Sequence, residues 1–167
     1  LFACSALHNN ALSKDQIFQL ASQMEGHPDN AAPCIYGGFT ASLAFDHQFF
    51  THHLLLDNTW KYTLFVPDFE VSTHKARAIL PDSYDRKTAA SNGAHAALLV
   101  EALRSGNMDL LKISAVDAIH EPYRKQLIHE FEDIKNIVSK YGVFLISGSG
   151  STCLLISKDP VSQVDKD

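Results

Sequence analysis

The order in which strand-like and helix-like segments follow one another limits this chain more than any other feature. Three β-rich stretches, 39–45, 52–56 and 62–66, come together before a mostly helical second half. Two short apolar runs, 143–146 and 153–156, then flank six Ser, Gly and Thr residues. Strands do not alternate one for one with helices, which favours an α+β layered fold, with helices on an antiparallel sheet. At 167 residues with 46% hydrophobic and 20% charged residues, the chain suffices for one domain with a proper core, or for part of a larger one.

Helix signals fill in the pattern. Ser13 and Gln16 have capping-box spacing, and Ile17, Leu20, Ala21 and Met24 predict one apolar face of a helix that delivers Glu25 and Gly26 at its end. A second short helix is expected over 28–36, broken by Gly37-Gly38. Ser72 caps a helix running through Ile79 and ended by Pro81; further helices are expected over 85–104, closed by Gly106, and over 108–119. Leu127, Phe131, Ile134 and Val138 trace the last apolar face, closed by Gly142. At the ends, Leu1-Phe2-Ala3-Cys4 reads as the middle of an apolar helix. Asp159-Pro160 reads as the start of one whose stripe begins at Val161 and Val164. Both ends are therefore expected to be cut.

Composition excludes some functions. A net charge of −5 with scattered Lys and Arg argues against a nucleic-acid-binding surface. Three cysteines far apart, Cys4, Cys34 and Cys153, suggest neither a disulfide framework nor a zinc knuckle, so a reduced cytoplasmic setting is expected. The apolar runs are too short to span a bilayer and no signal-peptide pattern opens the chain. His52 and His53, adjacent on a strand, point to opposite faces and cannot readily share a metal ion.

Four polar stretches carry the possible chemistry. Glu25-Gly26-His27-Pro28-Asp29-Asn30 crowds acids, an imidazole and an amide into one turn; its ordinary alternative is a helix-ending turn in which Asp29 and Asn30 cap the next helix. Thr73 and Arg77 lie one helical turn apart, so a hydroxyl and a guanidinium share a face, although a solvated face explains them too. In His120-Glu121-Pro122-Tyr123-Arg124 a second Arg follows a proline turn, the alternative being a surface ion pair with Glu121. An Arg fork can bond two oxygens of a carboxylate or phosphate at once. In Ser147-Gly148-Ser149-Gly150-Ser151-Thr152 the glycines permit close approach of backbone N–H groups to an anion, or simply a hairpin turn; no GK[ST] follows, so it is not a P-loop.

Taken together, "EGHPDNAAPCIYGGF", "VPDFEVSTHKARAILPDSY", "HEPYRKQLI" and "SGSGST", in that order, resemble the homoserine kinase family, within the superfamily named for galacto-, homoserine, mevalonate and phosphomevalonate kinases. The resemblance covers nearly the whole chain. It implies ATP-dependent phosphorylation of L-homoserine to O-phospho-L-homoserine on the route to threonine, with Mg²⁺ as the usual companion of ATP. It also implies a small-molecule substrate, no nucleic-acid or membrane partner, and a plausible homodimer. His27 and Asp29 match homoserine-contacting positions, and Arg77 and Arg124 match the guanidinium groups on the substrate carboxylate. Asn30 and Thr73 match groups near the reacting hydroxyl and the incoming phosphoryl group, so they are the catalytic candidates; Gly148 and Gly150 match the loop on the substrate side. The family's phosphate loop, of the type PxxxGLGSSAA, has no counterpart in this sequence. Residues 1–66 are then expected to be the C-terminal part of an N-terminal kinase domain, and 67–167 an incomplete C-terminal kinase domain.

Two departures stand out. Ser151 replaces the proline of the family's SGSGPT, which is expected to loosen the turn. Gln19 occupies the place expected of a magnesium-binding glutamate, so either Glu25 or a residue outside the chain serves instead, or metal handling is altered, and the metal site stays open. Another small-molecule kinase of the superfamily, or a non-catalytic paralogue keeping the fold for binding or assembly, are the competing readings; Gln19 and the missing phosphate loop favour the paralogue.

Overall fold

In a computed structural model, which describes residues 1–160, the chain forms two compact units. The first is Leu1–Leu56 and the second begins at Asp57. This division falls before the Val66-Pro67 step expected from sequence. The reason is local: the strand at 61–65 hydrogen-bonds to the strand at 153–157, and the buried Trp60 donates its indole N–H to the carbonyl of Leu103 at 2.8 Å. Strand hydrogen bonds thus commit this segment to the second unit.

The first unit contains α1 (Phe2–Leu7), α2 (Lys14–Glu25), α3 (Ala31–Tyr36), β1 (Phe39–Phe45) and β2 (Gln48–Leu54). Both bonds of the capping box start α2: the Gln16 amide donates to Ser13 Oγ at 3.2 Å and the Ser13 amide to Gln16 Oε1 at 2.8 Å. Gly26 ends α2 in the left-handed conformation, φ 80°, which glycine adopts without steric cost. The buried face overlaps only in part with the one the periodicity predicts, sharing Ile17 and Ala21 with it. Ile17, Phe18 and Ser22 are buried, whereas Leu20 and Met24 face out, Met24 at 78% exposure. Ile17 and Phe18 pack with Ala31, Ala32 and Ile35 of α3 and with Phe49 of β2, so the position of α3 rotates the inward face by about one residue.

The β1–β2 ladder pairs Phe45 with Gln48 across Asp46 and His47, both at positive φ (47° and 60°). Positive φ at both central residues matches the right-handed strand twist and makes a two-residue turn. The second strand is therefore Gln48–Leu54, earlier than the expected 52–56. An Asp-His turn lacks the glycine that usually signals such a hairpin.

In the second unit, β3 (Lys61–Phe65), α4 (Thr73–Ala78), α5 (Arg86–Ser105), α6 (Met108–Ser114), α7 (Glu121–Arg124), a 3-10 turn over Lys125–Leu127, α8 (Phe131–Val138), β4 (Gly142–Ile146) and β5 (Cys153–Ser157) follow in order. The three strands form an antiparallel sheet in the order β3-β5-β4. On one face Phe131 and Val138 of α8 pack with Ile128, Phe144, Cys153 and Leu155. Truncating a fully buried aromatic such as Phe131 would cost about 3–5 kcal/mol.

Two expectations are corrected here. Gly142 does not close α8; it lies in β4, where an added Cβ would come within 2.1 Å of the Ile156 carbonyl oxygen, so the sheet demands glycine there. The helix expected over 108–119 stops at Ser114. Side-chain oxygens of Asn92 and Asp117 capture the amides of residues 118–120, and such bonds compete with helix continuation. The start expected at Asp159-Pro160 continues into Val161 and Val164, which lie outside the described residues. Among the described residues no helix is long and apolar enough to cross a membrane. The architecture is mixed helix and antiparallel sheet, α+β as expected.

Candidate functional site

Within the first unit, His27, Asp29 and Asn30 share the corner between α2 and α3. Pro28 is buried, and its carbonyl accepts the Ala32 amide at 2.9 Å, so the chain turns sharply while its polar residues stay outward. His27 Nδ1 pairs with Asp29 Oδ1, and the same oxygen accepts the Asn30 amide at 3.0 Å. The Asp29 side chain is 71% exposed. The ordinary helix-capping alternative fails for Asn30: it is the N-cap residue of α3, yet its side chain caps nothing and is exposed. An amide without that local duty is available to a ligand.

Gln19 has a duty. Its Nε2 donates to the Phe49 carbonyl at 2.7 Å, and its Oε1 accepts the Phe49 amide at 3.0 Å. An amide donates and accepts at once in this way, which an ionised carboxylate cannot do. A carboxylate here would leave the Phe49 carbonyl unpaired, so the residue pins α2 to β2 and does not fit a magnesium ligand. Among the described residues no group of three or more His, Cys, Asp or Glu could hold a metal ion. Glu25, at the end of α2, is exposed.

In the second unit the structure brings Arg124, Gly148 and α4 together. Arg124 Nε donates to the Ala76 carbonyl at 3.3 Å and Nη1 to the Gly148 carbonyl at 3.0 Å. The expected alternative, an ion pair with Glu121, does not form; Glu121 instead pairs with Lys135 at 2.5 Å. Arg124 thus ties the residue preceding Arg77 to the glycine loop, with its Nη2 donating to no acceptor among the described residues. Thr73 and Arg77 are exposed on α4, whose Ser72 cap accepts the Lys75 amide at 3.2 Å.

The loop itself is tighter than its Ser/Gly composition suggests. The Gly150 amide donates to the Ser147 carbonyl at 3.1 Å and the Ser147 amide to Thr152 at 2.9 Å. Gly148 and Gly150 both take positive φ, 62° and 86°. At Gly150 an added Cβ would also meet Ile128 Cδ1 at 3.1 Å. Ser151 does not loosen the turn. It is buried, and its hydroxyl donates to the Phe69 carbonyl at 2.5 Å, a bond proline could not make. Behind the loop, burial pushes the Cys153 thiol up to about 11, so it stays protonated and is no nucleophile.

Beside Arg124 and Gly148 lies a cavity of about 330 Å³ walled by Leu99, Val116, Leu145 and Ile146, with Asn92 and Asp117 at its polar side. Sequence reasoning passed over Asn92 and Asp117. A signal existed: Asn92-Gly93 in the middle of a long helix is a poor choice for helix stability and asks for a reason.

The chain is similar to known proteins. Residues 99–164 match the family model described as GHMP kinases C terminal. A homoserine kinase of Caldicellulosiruptor saccharolyticus is 35% identical over 158 residues, 93% of this chain and 51% of that protein. One from Synechocystis is 39% identical over 163 residues, covering 95% and 53%. The crystal structure of a homoserine kinase from Cytophaga hutchinsonii superposes with a TM-score of 0.82 at 30% identity, covering 97% of this chain and 53% of that one. The chain spans about half the length of the curated relatives it matches. Through residues 99–164 the chain is similar to the C-terminal region of GHMP kinases, and over nearly all its length it is similar to homoserine kinases.

Proposed function

We propose that the protein to which this chain belongs is a homoserine kinase, transferring the γ-phosphoryl group of ATP to the hydroxyl of L-homoserine. The reading is carried by the extent of the similarity: 93–95% of the chain aligns with homoserine kinases at 35–39% identity. The geometry of each unit taken by itself supports it. Arg124, fixed by two carbonyls, keeps Nη2 for a carboxylate, and Arg77 on the adjoining helix supplies a second cation. Asp29 suits the substrate ammonium with His27 holding its carboxylate in place, and Asn30 positions the reacting hydroxyl. Thr73 faces the transferred phosphoryl group, and Gly148 and Gly150 shape the substrate side of the loop.

In the reaction the homoserine oxygen bonds to the γ-phosphorus as the bond to ADP breaks, and the hydroxyl proton passes to solvent. Positioning and charge neutralisation supply most of the catalysis of phosphoryl transfer, which suits an amide at position 30 rather than a base. Magnesium would neutralise phosphate charge. Gln19 does not fit it, and the exposed Glu25 carboxylate would be the residue to hold it. On this reading the product serves threonine biosynthesis, the enzyme works in the cytoplasm, and the two units are parts of an N-terminal and a C-terminal kinase domain.

Expressing the chain with its flanking coding sequence and following ADP release tests the proposal. Turnover with L-homoserine, and far less with galactose or mevalonate, is expected. Preference for another alcohol would reassign the substrate within the superfamily, and ADP release from none would leave a fold kept for binding.

A further inference from the structure

Arg124 sits in α7, a helix of four residues. A helix that short has too few internal bonds to stabilise itself, since nucleation alone costs more than one turn returns. Its position must come from outside, and the structure shows from where. The Arg124 amide donates to the His120 carbonyl at 2.9 Å. The His120 amide in turn donates to Asp117 Oδ1 at 2.9 Å, as does that of Ile119, while His120 Nδ1 lies 2.9 Å from Asp117 Oδ2. One residue earlier, the Ala118 amide donates to Asn92 Oδ1 of α5 at 2.9 Å. Tyr84, just before α5, donates its hydroxyl to the Ile119 carbonyl at 2.8 Å.

Three consecutive residues, 118–120, are therefore fixed by side chains, two of which reach in from around α5, and the next turn of chain carries Arg124. We propose that Asn92 is a positioning residue for Arg124, acting through the Ala118 amide and the Asp117 turn, so that α5 sets where the guanidinium presents its free Nη2. This rests on the reading of Arg124 as the carboxylate-binding cation. Asn92 does not touch Arg124 or substrate in this account. Its oxygen is the working atom, because an acceptor is what the Ala118 N–H requires. That makes Asn92→Asp a conservative replacement and Asn92→Ala a disruptive one.

Kinetics and side-chain exchange on the complete protein test the claim together. In Asn92→Ala, KM for homoserine should rise about tenfold, the size of one lost, partly buried hydrogen bond. KM for ATP and kcat should stay within about twofold, since neither depends on this cation. Asn92→Asp should restore most of the loss. Independently of substrate, the Nε–H resonance of isotope-labelled Arg124, assigned by its disappearance in Arg124→Lys, should exchange slowly in the wild type and in Asn92→Asp. In Asn92→Ala it should exchange quickly. Unchanged Arg124 exchange in a folded Asn92→Ala protein would overturn the proposal. So would equal losses in Asn92→Ala and Asn92→Asp, or a loss shared evenly between homoserine and ATP. If the wild type does not turn over homoserine, the functional reading fails and the exchange result alone decides whether Asn92 positions Arg124.

Discussion

The polar corner of the first unit and the Arg124 assembly of the second are built in opposite ways. His27, Asp29 and Asn30 are held by neighbours in sequence: a left-handed glycine before them, a buried proline between them, and bonds spanning one or two residues. Arg124 is held by carbonyls 48 and 24 residues away in the chain. A locally built corner keeps its shape wherever its short segment folds. An assembly stitched across α4, α5, α7 and the β4–β5 loop exists only once the whole unit has folded, and it inherits every defect in those elements. The contrast predicts that substitutions at the corner change chemistry with little loss of stability, while those around Arg124 couple geometry to the fold.

The largest expected effect comes from Arg124→Ala. Removing a charge-assisted contact to a substrate carboxylate should lower kcat/KM for homoserine by about 2–5 kcal/mol, with a further small loss of stability from two stranded carbonyls. Steady-state kinetics on the complete protein check this. A loss under about threefold would make Arg124 a structural clamp only.

Next is the corner. Asn30→Asp should reduce kcat about tenfold or more, because a carboxylate there repels the phosphates of ATP. Its melting temperature should stay close to that of the wild type, since the Asn30 side chain caps nothing. A faster variant would show that the position wanted a base. A large drop in stability would break the comparison instead.

Gln19→Glu asks whether the first unit also has a long-range stitch, as its bonds to Phe49 imply. Loss of the donor should destabilise by about 1–2 kcal/mol, and added MgCl₂ should not restore the melting temperature. Rescue by magnesium would mean that the position is a metal site awaiting its carboxylate.

The smallest effect concerns Tyr36, whose hydroxyl donates to Asp15 at 2.5 Å. Burial first, then the bond and charge of Asp15, push its pKa up to about 12. The folded pKa lies above the unfolded value near 10, so the stabilisation is complete below about pH 10 and lost as pH rises to about 12. Denaturant melts of the wild type should weaken across that window, and Tyr36→Phe should flatten the change. Identical slopes in both would assign the loss to other groups.

Short-range chemistry made much of the molecule legible beforehand. The Ser13–Gln16 box, the Ser72 cap and the Gly106 stop all rest on bonds within a few residues. The order of the strands likewise fixed the α+β class, and four short motifs pointed to the family. Tertiary structure decided the rest. Which face of α2 goes inside depended on where α3 packs, and β3 joined the second unit because β5 offered it a ladder. Arg124 was recognisable as a cation but not as a clamp, since its acceptors are backbone carbonyls, which every residue carries and no sequence pattern marks. For the same reason Asn92 read as an unremarkable polar residue, and Gln19 only as a missing magnesium ligand, until the fold brought distant amides to their side chains. Sequence alone thus determined the local turns, the class and the polar candidates, because those depend on near neighbours. Only tertiary structure determined which of those polar groups hold one another, because backbone partners far along the chain are chosen by packing.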